Sequence, residues 1–442
     1  MRQSPTVFLT HSRRAVLFVI CLCVFITSIA GDSLAQDNQP KDGRYYESLA
    51  RKAYQEKDYT AFLENMKVAA QMRPNHPRLM YNLAAAYALT SHQDEALQWL
   101  GKMAEMGLVF PADKDGDFDS IKSSTVFQTI LKRIEINKSP VTSSVPAFTV
   151  HEKGFIPEGV AYDPLAETFY LSSVYKRKIV SINKKGEARD FATERDGLWS
   201  VMGMKVDAAR RLLWVATAAH SQMSNYQEED NGKTGLLKFD LRTGKLIKKY
   251  LLPNKPRPHW LGDLVINSRG DVFTSDSISP AIYVVPHQTD ELELFLEDAQ
   301  FSSPQGLSFT PDEKHLFMAD YARGIFLIDL QTKKLANLQP APNITLLGLD
   351  GLYSYKGSLI GVQNGINPAR LVRLSLSRDM SRIERLETIE ANNPLFDEPT
   401  LGVLVKDTFY LIANSQWGMI DEKGQLAPAE KLKEPVVLKI KL

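Results

Sequence analysis

Three polar residues stand directly before a glycine, each launching an apolar run of strand character: Glu158 in Phe155-Ile156-Pro157-Glu158-Gly159-Val160, Gln305 in Ser303-Pro304-Gln305-Gly306-Leu307, and Asp350 in Leu349-Asp350-Gly351-Leu352. Two carboxylates and an amide carbonyl brought to one point are hard oxygen donors of the kind that calcium, magnesium or manganese takes. The chain has no clustered histidine or cysteine set of the kind zinc or copper would need. The same three residues also read as a polar ring solvated by channel water. Either reading needs an architecture that gathers residues so far apart in sequence.

That architecture is visible after Pro146, where the hydrophobic period becomes two and Val, Ile, Phe and Tyr are enriched between regularly spaced turn signals. Six similar units begin near Phe155, Leu198, Trp260, Ser303, Leu347 and Phe396, each of a length that suits a four-stranded blade. Leu316-Phe317-Met318-Ala319-Asp320 parallels Val272-Phe273-Thr274-Ser275-Asp276 as a second strand. Phe326-Leu327-Ile328-Asp329-Leu330-Gln331-Thr332 parallels Leu237-Lys238-Phe239-Asp240-Leu241-Arg242-Thr243 as a third strand entering its turn. The expected fold class is mainly β, a six-bladed β-propeller over 147–442, with an N-terminal all-α segment. A third strand over 436–442 and an orphan strand over 147–151 would together complete the last blade and remove exposed sheet edges. Aligning the units places Glu158, Met202, Gly262, Gln305, Asp350 and Leu401 around the axis.

Residues 43–137 carry a helical period instead. Leu49 and Leu83, Ala50 and Ala84, Phe62 and Ala96, and Met66 and Leu100 are apolar pairs thirty-four residues apart, the period of a tetratricopeptide repeat. The segment resembles a two-repeat tetratricopeptide array, with Phe118–Ile121 and Val126–Leu131 as the half-repeat that caps it. It reads as packing or modest protein contact, and 138–146 reads as the linker. Upstream, Arg13 and Arg14, the apolar run Ala15–Ile29 and Ser33-Leu34-Ala35 follow the order of a secretory signal, so 1–35 is expected to be removed and the protein to be periplasmic or secreted. Cys21 and Cys23 both fall in that run, leaving no cysteine for disulfide or thiol chemistry. A net charge of +1 gives no footprint for nucleic acid or an anionic membrane.

Pro157-Glu158-Gly159, Pro304-Gln305-Gly306 and Asp350-Gly351-Leu352, with Gly262-Asp263-Leu264-Val265 and Ser275-Asp276-Ser277 between them, resemble the family of senescence marker protein, gluconolactonase and luciferin-regenerating enzyme. The resemblance covers roughly the last two-thirds of the chain. It implies a six-bladed propeller that binds a divalent cation, calcium by preference, and hydrolyses lactones. Glu158, Gln305 and Asp350 are the implied ligands, Asp350 the implied general base, and Asp263 a residue on the substrate side. This chain has Gln305 where the family usually has asparagine, and Gly262 where an asparagine precedes the aspartate.

Further candidates for substrate contact are His259 and His220, placed near the channel mouth, and Asn364 and Asn414, which close second strands. The polar insertion 222–235 reads as a lid or as a long solvated hairpin. The resulting expectation is an exported, cation-dependent hydrolase of a lactone or related small ester. The alternative is a non-catalytic scaffold that uses helical and propeller surfaces.

Overall fold

A computed structural model describes residues 42–442; the expected signal over 1–35, with both cysteines, lies outside the described residues. The chain forms two compact units. One contains the described residues up to Ser139 with Pro340–Thr345 and Ile366–Pro368; the other contains Pro140–Gln339, Leu346–Gly365 and Ala369–Leu442.

The first unit holds helices α1 (Gly43–Gln55), α2 (Tyr59–Met72), α3 (Pro77–Leu89), α4 (Gln93–Glu105) and α5 (Thr125–Asn137). Asp42 and Asp58 cap α1 and α2 by accepting backbone N–H groups, and Pro77 opens α3. The helix pairs recur at thirty-four residues, Gly43 with Pro77 and Tyr59 with Gln93. Ala50, Ala84 and Ala96 are fully buried, so the small residues let the helices approach closely while Phe62, Met66, Leu83 and Leu100 fill the space between them. Between α4 and α5 the chain makes one 3-10 turn over Gly116–Phe118, with Asp115 accepting from Tyr81 and Asp117 from Tyr54.

The second unit is a six-bladed β-propeller. The first strands of blades one to six are Pro157–Asp163, Ser200–Asp207, Leu261–Ile266, Pro304–Phe309, Leu349–Tyr355 and Gly402–Val405. Blades one to four each run outward as an antiparallel meander of four consecutive strands, and blade five does the same but carries a short fifth strand, from earlier in the chain, at its outer edge. The sixth takes Gly402–Val405, Thr408–Ile412 and Val436–Lys441 from the end of the chain and Val145–Thr149 from before blade one. The registers Val145↔Lys439 and Thr149↔Val436 make that closure, and Val437 packs with Val150, Phe155 and Leu171. Within the 138–146 stretch the chain is held before the closing strand begins at Val145: Val141 bridges Ala391, and buried Glu390 accepts from the backbone and hydroxyls of Ser143 and Ser144.

A bulge recurs at the inner end of five blades. The ladder shifts between Pro157 and Val160, Val201 and Met204, Leu261 and Leu264, Pro304 and Leu307, and Leu349 and Leu352. The two residues inside each shift are the axial dipeptides 158–159, 202–203, 262–263, 305–306 and 350–351. A bulge re-aims side chains and frees backbone groups from the ladder. The glycines are needed for a different reason: a Cβ on Gly159 would overlap the Met202 carbonyl oxygen, and one on Gly306 would lie 2.5 Å from both Asp350 O and Leu352 N. Neighbouring inner strands therefore touch backbone to backbone at the axis, which only glycine allows.

Candidate functional site in the axial channel

In an antiparallel meander the start of the first strand and the connection from second to third strand lie at the same end of the blade. Side chains at that end gather around the axis from both sources. Glu158 and Asp350 come from first strands and are 7% and 5% exposed. Around them stand Ser277, Tyr321, Asn364, and Ser415 with Trp417, from the second-to-third connections of blades three to six.

Each carboxylate has an assigned donor. Trp417 Nε1 donates to Glu158 Oε2 at 2.8 Å, with the Ser415 hydroxyl at 3.5 Å. Asn364 Nδ2 donates to Asp350 Oδ2 at 2.8 Å and to Pro399 O at 3.0 Å, while its Oδ1 accepts from Tyr321 Oη at 3.0 Å. Tyr321 thus fixes the Asn364 amide, and the amide fixes Asp350. Burial pushes the Glu158 carboxyl well above the usual carboxylate range, and the Asp350 charge pushes it further, against the Trp417 and Ser415 bonds. Asp350 is pushed up to about 7, first by burial and then by the Asp263 charge, with the Asn364 bond opposing.

Gln305 has its amide oriented by two serines. Its Oε1 accepts from Ser277 Oγ at 3.3 Å and its Nε2 donates to Ser303 Oγ at 3.0 Å. A Cβ on Gly262 would meet Ser277 Oγ at 2.5 Å, so the glycine at 262 makes room for the hydroxyl that orients Gln305.

Blade three carries its dipeptide in reverse, glycine first. Asp263 consequently occupies the bulge position that Gly159, Gly203, Gly306 and Gly351 hold elsewhere, and its side chain turns toward blade two. A Cβ on Gly203 would lie 2.8 Å from Asp263 Oδ1, and Lys205 Nζ binds that oxygen at 3.3 Å. Asp263 Oδ2 is buried and has no hydrogen-bond partner among the described residues. Lys205 also lies over the ring of Tyr353, 5.5 Å from its centroid, and the Tyr353 oxygen accepts from Gly402 N–H at 2.7 Å.

The remaining candidates separate. His220 is 8% exposed and stacks on Trp260 and Trp417, with centroids 4.5 and 5.5 Å away and both rings tilted by 25°; through Trp417 it adjoins Glu158. His259 binds Asp276 Oδ2 through Nδ1 at 2.6 Å, and Asp276 also accepts from Trp260 N and Ser279 N, so this pair secures the loops of blade three. Asn414 donates to Glu434 O and accepts from Val436 N, which commits both ends of its amide to the closing strand. Met202 and Leu401 are 3% and 4% exposed, apolar members of the ring.

The blade-two insertion divides into two parts. Gln222 and Met223 are buried, with Gln222 Nε2 donating to Ile420 O of blade six and Ser224 N to Tyr175 O of blade one; Asn225 and Gln227–Glu229 are exposed. The strap half crosses toward the channel mouth and the tip is a solvated hairpin.

Sequence reasoning missed Trp417, Tyr321, Ser415, Glu398, Tyr353 and Lys205. Glu398 accepts from Gly418 N at 3.1 Å and its charge adds to the upward push on Glu158. Its φ of 62°, with 62° at Gln416 and 51° at Ile156, puts three non-glycine residues with left-handed backbone beside the site. For a buried β-branched residue such as Ile156 that conformation is strained, and strain of this kind collects at functional sites.

No protein-family model matches the chain, and no curated protein matches its sequence. Among solved structures, it is similar to a gluconolactonase from Xanthomonas campestris, at 13% identity and TM-score 0.46, over 69% of this chain and 99% of that one. A luciferin-regenerating enzyme gives 14% identity and TM-score 0.45, over 69% and 96%. Virginiamycin B lyase from Staphylococcus aureus gives 12% identity and TM-score 0.44, over 68% and 99%. These proteins differ in the activities their names state, and at such scores the likenesses carry no argument about chemistry.

Proposed function

We propose that the protein is an exported, divalent-cation-dependent hydrolase of a lactone or related small ester, acting in the axial channel. The observation that carries this reading is the pairing of two buried carboxyls, Glu158 and Asp350, close enough for the charge of one to push up the other. Two like charges in a low-dielectric site are unfavourable unless a cation or a proton joins them.

The donors present fit a hard cation. Among the described residues no three His, Cys, Asp or Glu side chains form a ready-made cluster. On this reading Glu158 and Asp350 would hold the ion, with the Gln305 amide oxygen as the third protein ligand and water completing the shell. The orphaned Asp263 Oδ2 adds to the anionic field, and every donor is oxygen, as calcium prefers. When bound, such an ion supplies Lewis acidity toward an ester carbonyl and acidifies water.

This chain's own residues do the rest. Asp350 would take the proton from water beside the ion, which keeps its carboxyl ionised against the upward push of burial. Asn364, held by Tyr321, keeps the Asp350 carboxyl in one orientation. Met202 and Leu401 wall the channel with apolar surface, and the buried strap at Gln222 and Met223 limits water at its mouth.

The test is hydrolysis of a panel of γ- and δ-lactones and aryl esters by chelated and calcium-loaded protein. Glu158→Gln and Asp350→Asn should each abolish cation uptake and turnover together. Turnover unchanged by chelator and by both variants would remove the proposal.

The helical unit supports a second, compatible role. Its thirty-four-residue recurrence favours a tetratricopeptide-like array that contacts another protein, on a boundary near 137–147. Partners captured by the full chain should then be lost on mutating the α1–α4 surface and be indifferent to chelator. Export by the 1–35 segment predicts a mature protein that begins near residue 36, read by mass spectrometry of the secreted or periplasmic fraction.

A further inference from the structure

Two tryptophans from different blades stack on His220: Trp260, which precedes the first strand of blade three, and Trp417, from the long connection of blade six. The imidazole is 8% exposed, and its Nδ1 accepts the backbone N–H of Gln222 at 3.2 Å. A ring nitrogen that accepts cannot carry the proton, so in the neutral imidazole the proton sits on Nε2. That nitrogen is buried and has no hydrogen-bond partner among the described residues. Buried donors are almost always satisfied, and one left open beside a site points to an acceptor brought by a ligand.

We infer that His220 Nε2–H is a neutral hydrogen-bond donor for an uncharged carbonyl or ester oxygen of the ligand, held in one plane by the Trp260 and Trp417 rings. Burial, which lowers the imidazole pKa to about 3, keeps it uncharged across the physiological range. With its proton already on Nε2 and its Nδ1 occupied, the ring is a donor and not a general base. The ligand class follows from the surroundings. A flat, neutral, oxygen-bearing ring can lie beside tryptophan faces and accept this bond, whereas a carboxylate would meet the negative field of Glu158, Asp350 and Glu398. The choice of a lactone or ester over a carboxylate rests on the hydrolase reading above; the donor itself does not.

The experiment uses δ-valerolactam, which presents a ring carbonyl and resists hydrolysis, with calcium-loaded full-length protein labelled with 15N-histidine. The free protein should show a His220 ring with protonated Nε2, unchanged between pH 5 and 8. Adding the lactam should shift the Nε2–H resonance. His220→Phe, which keeps the stack, should weaken lactam binding by about 10-fold or more, and His220→Gln, which restores an N–H, should recover part of it. Cation uptake should be unchanged in both variants. A ring protonated on Nδ1, a titration near pH 6, or lactam binding that is absent or insensitive to His220→Phe would overturn the inference. Absent cation uptake with a lactam-shifted Nε2 resonance would instead overturn the hydrolase reading and leave the donor in place.

Discussion

At the scale of single residues the site turns on Asp350 and the amide that holds it. Asn364 donates to the ionised form of Asp350 and lowers its pKa against the effect of burial. Asn364→Leu should therefore raise the Asp350 pKa. In chelated protein the midpoint of the Asp350 titration, followed by carboxyl NMR, should move to higher pH, by about one unit if the bond contributes ~1.4 kcal/mol. The same carboxyl sets a sign for stability. Its folded pKa of about 7 lies above the ordinary value near 3.9, so the folded state holds the proton more tightly across that window. The stabilisation is complete below the ordinary value and is lost as pH rises toward 7. In chelated protein, Asp350→Asn should thus gain melting temperature relative to wild type between pH 5 and 8. Calcium should stabilise wild type more at pH 8 than at pH 5, which a thermal-shift series reads directly. Glu158, Gln305 and Asp350 were legible in the sequence because a residue before a repeated glycine is a local signal. Trp417, Tyr321 and Glu398 were not, because they sit on connections whose lengths differ from blade to blade and leave no register to align.

At the scale of elements the recurring dipeptide has a physical cause that sequence alone did not expose. It is the bulged pair of each inner strand, and its glycine is where adjacent blades meet. Gly159→Ala and Gly306→Ala should each cost about 1–3 kcal/mol in denaturant unfolding, as overpacking does, although both add only a methyl group. The reversed order Gly262-Asp263 was readable, but its consequence, a carboxylate turned toward Gly203 and Lys205, depends on which bulge position faces the axis. At the opposite end of blades one and two, Asp163 is fully buried and binds Arg211 with both oxygens, at 2.6 and 2.5 Å. Burial alone would raise its pKa, but the Arg211 bonds and backbone N–H groups bring it below the usual range. Its stabilisation is present above the ordinary carboxylate pKa and is lost as pH falls below it. Asp163→Asn should cost roughly 3–5 kcal/mol at pH 7, toward the lower end because Arg211 keeps 20% side-chain exposure, and the deficit should shrink in acid.

At the scale of the molecule the ring is closed by two strands that the sequence already paired, one in excess before blade one and one lacking after blade six. Val145–Thr149 and Val436–Lys441 meet in register and complete the last blade, with Val145–Thr149 as its outer strand. Truncation after Pro435 should expose the edges of Val145–Thr149 and Thr408–Ile412 together. Loss of cooperative unfolding and association on size exclusion are the expected results. The six-fold arrangement was legible because blades repeat hydrophobic alternation, while the channel's electrostatics emerge only when residues some two hundred apart are brought together. Closure also holds Trp417 and Ser415 against Glu158, so the cation reading depends on an intact ring. Its most direct test is calorimetric titration of calcium into chelator-stripped protein at pH 7.5, alongside Glu158→Gln and Asp350→Asn. The account predicts uptake of one ion by the wild type and none by either variant. Absence of uptake in a folded wild type, or equal uptake by all three proteins, would contradict it.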